Sequence, residues 1–165
     1  MPAYRKPPVD YIERTRALYG SMGFAAYGWR RIAEPPAFAT LKKPLSECRL
    51  GLLGSGGVYE HGQTAFHFRD DISFRVIDTT RGTAALRATH FAYDLEGARK
   101  DPNVVFPIDP LQRLVAAGEL GELSSRAYAF MGGIYSSRKV EETLAPELVA
   151  RVVKDEVDVA LLVPV

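Results

Sequence analysis

The segment from Leu144 to Val163 constrains the fold more than any other part of the sequence. Pro146 stands in the first turn of an amphipathic stretch, Leu144 to Glu156, with Leu148, Val149, Val152 and Val153 on one stripe; that spacing predicts a helix. The chain then passes directly into Val157–Val163, apolar throughout except for Asp158. An apolar run with no alternation suits a strand covered on both faces, as in sheets flanked by helices. The end of the chain is therefore read as a buried strand of an α/β sheet that stops at its tip, Pro164-Val165.

The rest of the sequence repeats that alternation. Cys48–Leu53, Ala84–Phe91 and Ala127–Ile134 read as core strands, and Phe74–Ile77 as a short edge strand. Asp109-Pro110 opens a helix with an N-cap aspartate and proline at the first position; Leu111, Leu114 and Val115 keep helical spacing and Gly118 ends it. Tyr11–Met22 is a further helix. Apolar strands alternating with helices predict a mainly parallel sheet with helices on both faces, a flavodoxin- or Rossmann-like three-layer α/β fold. The 165 residues suffice for one domain: residues 1–43 form an N-terminal arm and helix, and residues 44–165 the sheet core. Three prolines in the first ten residues indicate an extended arm. Phe24, Tyr27 and Trp29 with Arg30 and Arg31 mark where a subunit contact is expected, to a second copy or a partner chain.

Charge and cysteine content exclude several function classes. Twenty-one basic and 20 acidic residues, scattered among one another, leave a formal charge of +1 and no stripe for nucleic acid. No run approaches the ~18 apolar residues of a membrane span, and the N-terminus lacks the apolar core of a signal peptide. Cys48 is the single cysteine, so no internal disulfide forms and a cytoplasmic setting fits. His61 and His67 have no matching ligand pair, and no metal site is expected.

In open parallel sheets, ligands sit beyond the carboxyl ends of the strands. Those ends are Gly54–Gly57, His90–Asp94, Gly132-Gly133 and Pro164-Val165. The Gly-Ser-Gly-Gly turn can present backbone N–H groups to an anion, although it is neither a dinucleotide fingerprint nor a P-loop. His90 titrates near neutrality, and Asp94, Asp101 and Asn103 could orient it or hold a polar ligand. The candidate crevice is therefore Ser55, Gly56, Gly57, His90, Asp94, Asp101 and Asn103; a small carboxylate suits the glycine-rich turn and His90, and many other anions would satisfy them equally. Each member also has a plain structural reading: a tight turn, a hydrogen-bonded histidine, Asp-Pro-Asn turn chemistry. Cys48 lies at the opposite end of its strand and reads as a small buried apolar residue. No nucleophile–base pair emerges from these residues.

Seven segments in order carry a resemblance. They are YIERTRALYGSMGF from Tyr11, PLSECRLGLLGSGGVY from Pro44, FRDDISFRVI from Phe68, THFAYD from Thr89, DPNVVFPIDPL from Asp101, GELGEL from Gly118 and VDVALLVPV from Val157. In this order and spacing the chain resembles the selenoprotein B subunits of glycine, sarcosine, betaine and D-proline reductases. The resemblance implies an oxidoreductase that reductively cleaves a C–N bond α to a carboxylate, with a disulfide as acceptor. A selenocysteine, or a cysteine in its place, attacks a substrate carbon activated by a carbonyl adduct on a partner subunit. A selenol is ionised at neutral pH, whereas a thiol with a pKa of ~8.5 mostly is not.

The same resemblance puts that nucleophile just after Val165. No catalytic residue and no cofactor is then expected within the chain, and Cys48 does not occupy the position. Three explanations stay open: a UGA selenocysteine codon after Val165, a tail outside the chain, or a short homologue without catalysis. The last would be a small-molecule-binding or accessory subunit. Whether the chain is an enzyme is left open with them.

Overall fold

The computed structural model describes residues 10–26, 32–35, 37 and 39–165. The chain divides into two units, residues 1–39 and 40–165. In the first, α1 covers Tyr11–Ser21, and Asp10 caps it by accepting from the Glu13 N–H at 3.0 Å. The proline-rich arm, and Tyr27, Trp29, Arg30 and Arg31 of the expected subunit contact, lie outside the described residues.

The second unit runs β1 (Arg49–Gly54), β2 (Val58–Glu60), β3 (Phe74–Asp78), β4 (Leu86–Ala88), α2 (Glu96–Lys100), α3 (Ile108–Ala116), β5 (Glu122–Leu123), β6 (Arg126–Phe130), the single turn α4 (Ser137–Lys139), α5 (Ala145–Lys154) and β7 (Val159–Val163). A π-helical turn, Val140–Leu144, joins α4 to α5. β1 is the organising strand. It pairs in parallel with β7 from Leu50↔Val159 to Gly54↔Val163, and along its other side with β5 and then β6. β3 closes the far side of β6 in antiparallel register, Phe74↔Phe130 to Asp78↔Arg126.

The sheet is thus mixed, which corrects the expectation of a mainly parallel three-layer fold. The expected core strand Ala84–Phe91 also contracts to β4, which pairs with β2 in a separate antiparallel ribbon. The reason lies in the connections. A parallel neighbour needs a crossover, usually a helix. β2 follows β1 after only a tight glycine turn, and no helix forms between Glu60 and Phe74.

Helices nonetheless cover both faces. Leu50, Leu52, Ala127 and Ala129 meet Ile108 and Leu111 of α3 and the ribbon's Val58, Leu86 and Ala88. Leu53 and Tyr128 meet Leu144 and Leu148, with Val152 half-buried beside them. Alternate strand residues feed opposite faces, as pleating requires. Gly51 permits the close approach of the turn into β7, since a Cβ there would stand 2.9 Å from the Val157 side chain. Three details depart from the pattern reading. Asp109 lies inside the first turn of α3, after its cap at Pro107. Val149 and Val153 of α5 are 61% and 70% exposed rather than inward. β7, expected to be buried, is an edge strand with β1 on one side only among the described residues.

Candidate functional site

The glycine-rich turn after β1 ties strand ends together. The Ser55 N–H donates to the Val163 carbonyl at 3.0 Å, and the Gly57 N–H to that of Phe130 at 2.9 Å. The Gly132 N–H donates to the Ser55 carbonyl at 2.9 Å, and Gly56 bridges Met131. The turn's amides at Ser55 and Gly57 are therefore spent on strand carbonyls rather than offered to an anion. The glycines serve approach: a Cβ on Gly54 would stand 2.7 Å from the Phe106 ring, and one on Gly56 3.1 Å from Val105.

His90 meets this turn. The Thr89 N–H donates to the Gly57 carbonyl at 2.9 Å, and the Tyr93 hydroxyl to that of Gly56 at 2.8 Å. Phe91 lies against Gly133, where a Cβ would be 2.3 Å from its ring. Ser55, Gly56, Gly57 and His90 are thus brought to one place, with Tyr93 and Gly132-Gly133. Asp94, Asp101 and Asn103 serve local turns instead. Asp94 accepts from the Glu96 N–H at 2.9 Å and starts α2. Asp101 accepts from the backbone and side-chain nitrogens of Asn103 at 3.0 and 2.9 Å. Asn103 donates to Asp109 at 2.8 Å and accepts from its N–H at 3.0 Å.

His90 is the polar outlier. It is 8% exposed, its Nδ1 accepts from the Ala92 N–H at 3.0 Å, and its Nε2 has no partner. The accepting Nδ1 puts the proton of the neutral ring on Nε2. Burial holds the imidazole below its ordinary value of 6.5. A histidine depressed in the folded state supports stability above the unfolded value and withdraws it as the pH falls through that value. Imidazole 15N spectra are expected to show the Nε2–H tautomer and a His90 midpoint below 6.5; a midpoint above that value would refute the assignment.

On the other side of the turn, a cleft of about 410 Å³ opens between the tips of β1, β6 and β7 and the start of α5. Its walls are Phe130, Ile134, Leu144 and Leu148, and its rim is Ser55, Gly132, Pro164 and Val165. Ser55 supplies the polar side chain of the lining; its hydroxyl oxygen accepts from the Val165 N–H at 2.9 Å. Sequence reasoning named Ser55 but missed this wall. Ile134 and Leu144 carry no functional signal, and the π turn that sets Leu144 has no pattern of its own. Tyr93 was legible only as a neighbour of His90.

At the opposite end of the sheet a second hollow is lined by charges, but they pair among themselves. Lys43 meets Asp158 at 2.7 Å, and Arg49 meets Glu122 at 3.0 Å and Glu156 at 3.4 Å. Cys48 lies at that end, fully buried, with its thiol near the Lys43 and Pro44 carbonyls at 3.6 and 3.3 Å. Alkylation of Cys48 is expected to run roughly a thousandfold slower in the native protein than in denaturant; fast native labelling would revive a thiol role. Among the described residues no group of three His, Cys, Asp or Glu side chains could hold a metal ion, and no helix is long and apolar enough to cross a membrane.

The family model of glycine/sarcosine/betaine reductase selenoprotein B matches residues 37–164. This chain belongs to that family. The selenoprotein B match takes in β1 to β7, and so the turn, the His90 loop and the cleft lining except Val165. D-proline reductase subunit gamma of Acetoanaerobium sticklandii is 31% identical over 131 residues, 79% of this chain and 54% of that relative. The chain thus spans about half the length of the curated relative it matches. No solved structure matches it.

Proposed function

We propose that this selenoprotein B family member is a subunit of an amino-acid reductase that cleaves a C–N bond α to a carboxylate, with a disulfide as the electron acceptor and a reducing cytoplasm as its setting. The reaction needs a soft, ionised nucleophile beside a bound small carboxylate, and the partner subunit's carbonyl adduct activates the carbon. The observation that carries the reading is the position of Val165. Its N–H is held by Ser55 at 2.9 Å and its side chain lines the cleft, so a residue following it would be delivered at the strand-tip crevice. Cys48, buried at the other end of β1, cannot act there. Within the crevice, the Ser55 hydroxyl, the His90 Nε2–H and the Gly56 N–H have no acceptor among the described residues and could serve a carboxylate; Asp94, Asp101 and Asn103 hold the surrounding loops.

The test reads the source DNA past the codon for Val165. An in-frame UGA or cysteine codon followed by continuing coding sequence is expected. An ordinary UAA stop followed by an unrelated gene would overturn the catalytic version. Two observations favour a second reading, a binding or accessory subunit: the amides of Ser55 and Gly57 are already engaged, and the cleft is almost wholly apolar.

A further inference from the structure

The two edges of the main sheet are treated differently. β3, at one edge, carries Arg75 and Asp78, and its outward backbone groups are covered by side chains. Gln63 donates to the Val76 carbonyl at 2.9 Å and Glu60 accepts from the Asp78 N–H at 2.8 Å. Such charges and caps are the usual protection of an edge strand against pairing. β7, at the other edge, has none among the described residues. Val159–Val163 contains no charge, proline or bulge.

Its register shows which groups are open. The Ser55 N–H donates to the Val163 carbonyl, so residues 159, 161 and 163 turn their peptide groups toward β1. By alternation, the N–H and C=O of Ala160 and Leu162 point away from it, and among the described residues no strand pairs there. Leu162 stands in register with Leu53, on the sheet face that α5 covers, yet it is 68% exposed. Val149 and Val153, one helical turn apart on α5, are exposed as well. An apolar strand edge and an apolar helix strip on one face are what a strand followed by a helix would bury.

We infer that β7 is an interior strand of the working protein: its open edge receives a parallel strand, and Val149, Val153 and Leu162 receive the helix that accompanies it. The occupant is the part of the selenoprotein B fold that the match leaves out. The matched 131 residues fill 54% of the D-proline reductase subunit gamma, so such a relative holds almost as much chain again to place. The inference rests on that length and on the undefended edge, and it stands whether or not the subunit is catalytic.

The test uses the 165-residue chain and, as a separate polypeptide, the portion of D-proline reductase subunit gamma outside the match. Hydrogen exchange is read at the amides of β7. In the free chain, Ala160 and Leu162 are expected to exchange fast while Val159, Leu161 and Val163 are protected. Adding the polypeptide should slow Ala160 and Leu162 by about tenfold or more. Leu162→Lys and Val153→Lys, both at exposed positions, should abolish that slowing and leave the spectrum of the free chain folded. Protection of Ala160 and Leu162 already present in the isolated monomer would mean that the chain covers its own edge. The same protection in a dimer would make a second copy the occupant. Failure of the polypeptide to alter exchange at β7 would reject it as the partner. Each of these three results overturns the inference.

Discussion

Asp155→Ala is expected to lower stability by about 3 kcal/mol, a drop of roughly 10 °C in melting temperature for a chain of this size. Asp155 closes α5, and its carboxylate is buried between the Tyr128 hydroxyl and the Arg126 guanidinium, both of which donate to it. Tyr128 is 2% exposed, so removing the carboxylate strands a phenol O–H in the core. Arg126 is 51% exposed at its side chain, and water takes over part of its pairing. That places the cost near the lower end for a broken buried pair. Tyr128→Phe removes one donor and leaves Asp155 held by Arg126, so about 1 kcal/mol is expected. The double variant should cost less than the sum, because both changes remove the same bond.

The pH profile follows from the same contacts. Burial alone would raise the Asp155 carboxyl, but hydrogen bonds from Arg126 and Tyr128 outweigh it and hold the group below its ordinary value of 3.8. Its contribution is present above that value and is lost as the pH falls through it. Burial, with the hydrogen bond to Asp155, pushes the Tyr128 phenol up to about 12. A raised group contributes below its unfolded value of 10.0 and loses that contribution as the pH climbs toward 12. Denaturant midpoints across pH should therefore fall away at both ends, and Asp155→Asn should flatten the acid limb. An unchanged acid limb would show that Asp155 does not sense its partners.

This network also marks the limit of what the chain reveals unaided. Tyr128 lies 27 positions before Asp155, and neither residue stands in a local pattern that ties it to the other. Elements whose cause is local were legible: β3 as a short edge strand, α3 ending at Gly118 with φ 72°, and α5 with Pro146 in its first turn. The partners of strands were not. Ala84–Phe91 has the composition of a core strand, yet only Leu86–Ala88 pairs, and with β2 rather than β1. Strand pairing is decided by packing across the fold, so composition alone cannot assign it. At the site, the reading of strand ends named Ser55, Gly56, Gly57 and His90, and the structure places them around one turn. It also named Asp101 and Asn103, turn residues whose polar groups pair within the loop, Asn103 donating to Asp101 and to Asp109, a pairing no local pattern announces. The apolar run of β7 was legible as a strand but not in its place, since it pairs with β1 on one side only among the described residues.

The largest effect at the crevice is expected from Gly57→Ala, at ~3 kcal/mol or more. Gly57 has φ +67°, where an L side chain is already strained, and a Cβ there would lie 2.0 Å from the Thr89 carbonyl oxygen. That oxygen belongs to backbone, so β4 and the His90 loop must move away as a unit. The Thr89 N–H to Gly57 carbonyl bond is then lost, and His90 and Tyr93 leave the turn. Gly62→Ala is the control. Its φ is +97°, but a Cβ would meet nothing within 4 Å, so only the conformational cost of about 1 kcal/mol applies. In Gly57→Ala the His90 midpoint should also rise back toward 6.5 as the imidazole regains water. The pair of variants separates two roles for the turn. If glycine is there to bring N–H groups to an anion, Gly57→Ala should keep the fold and lose only ligand. If it is there for approach, stability and the His90 midpoint change without any ligand present. The engaged amides of Ser55 and Gly57 favour the second outcome. A stable Gly57→Ala protein with an unmoved His90 would return the turn to anion binding.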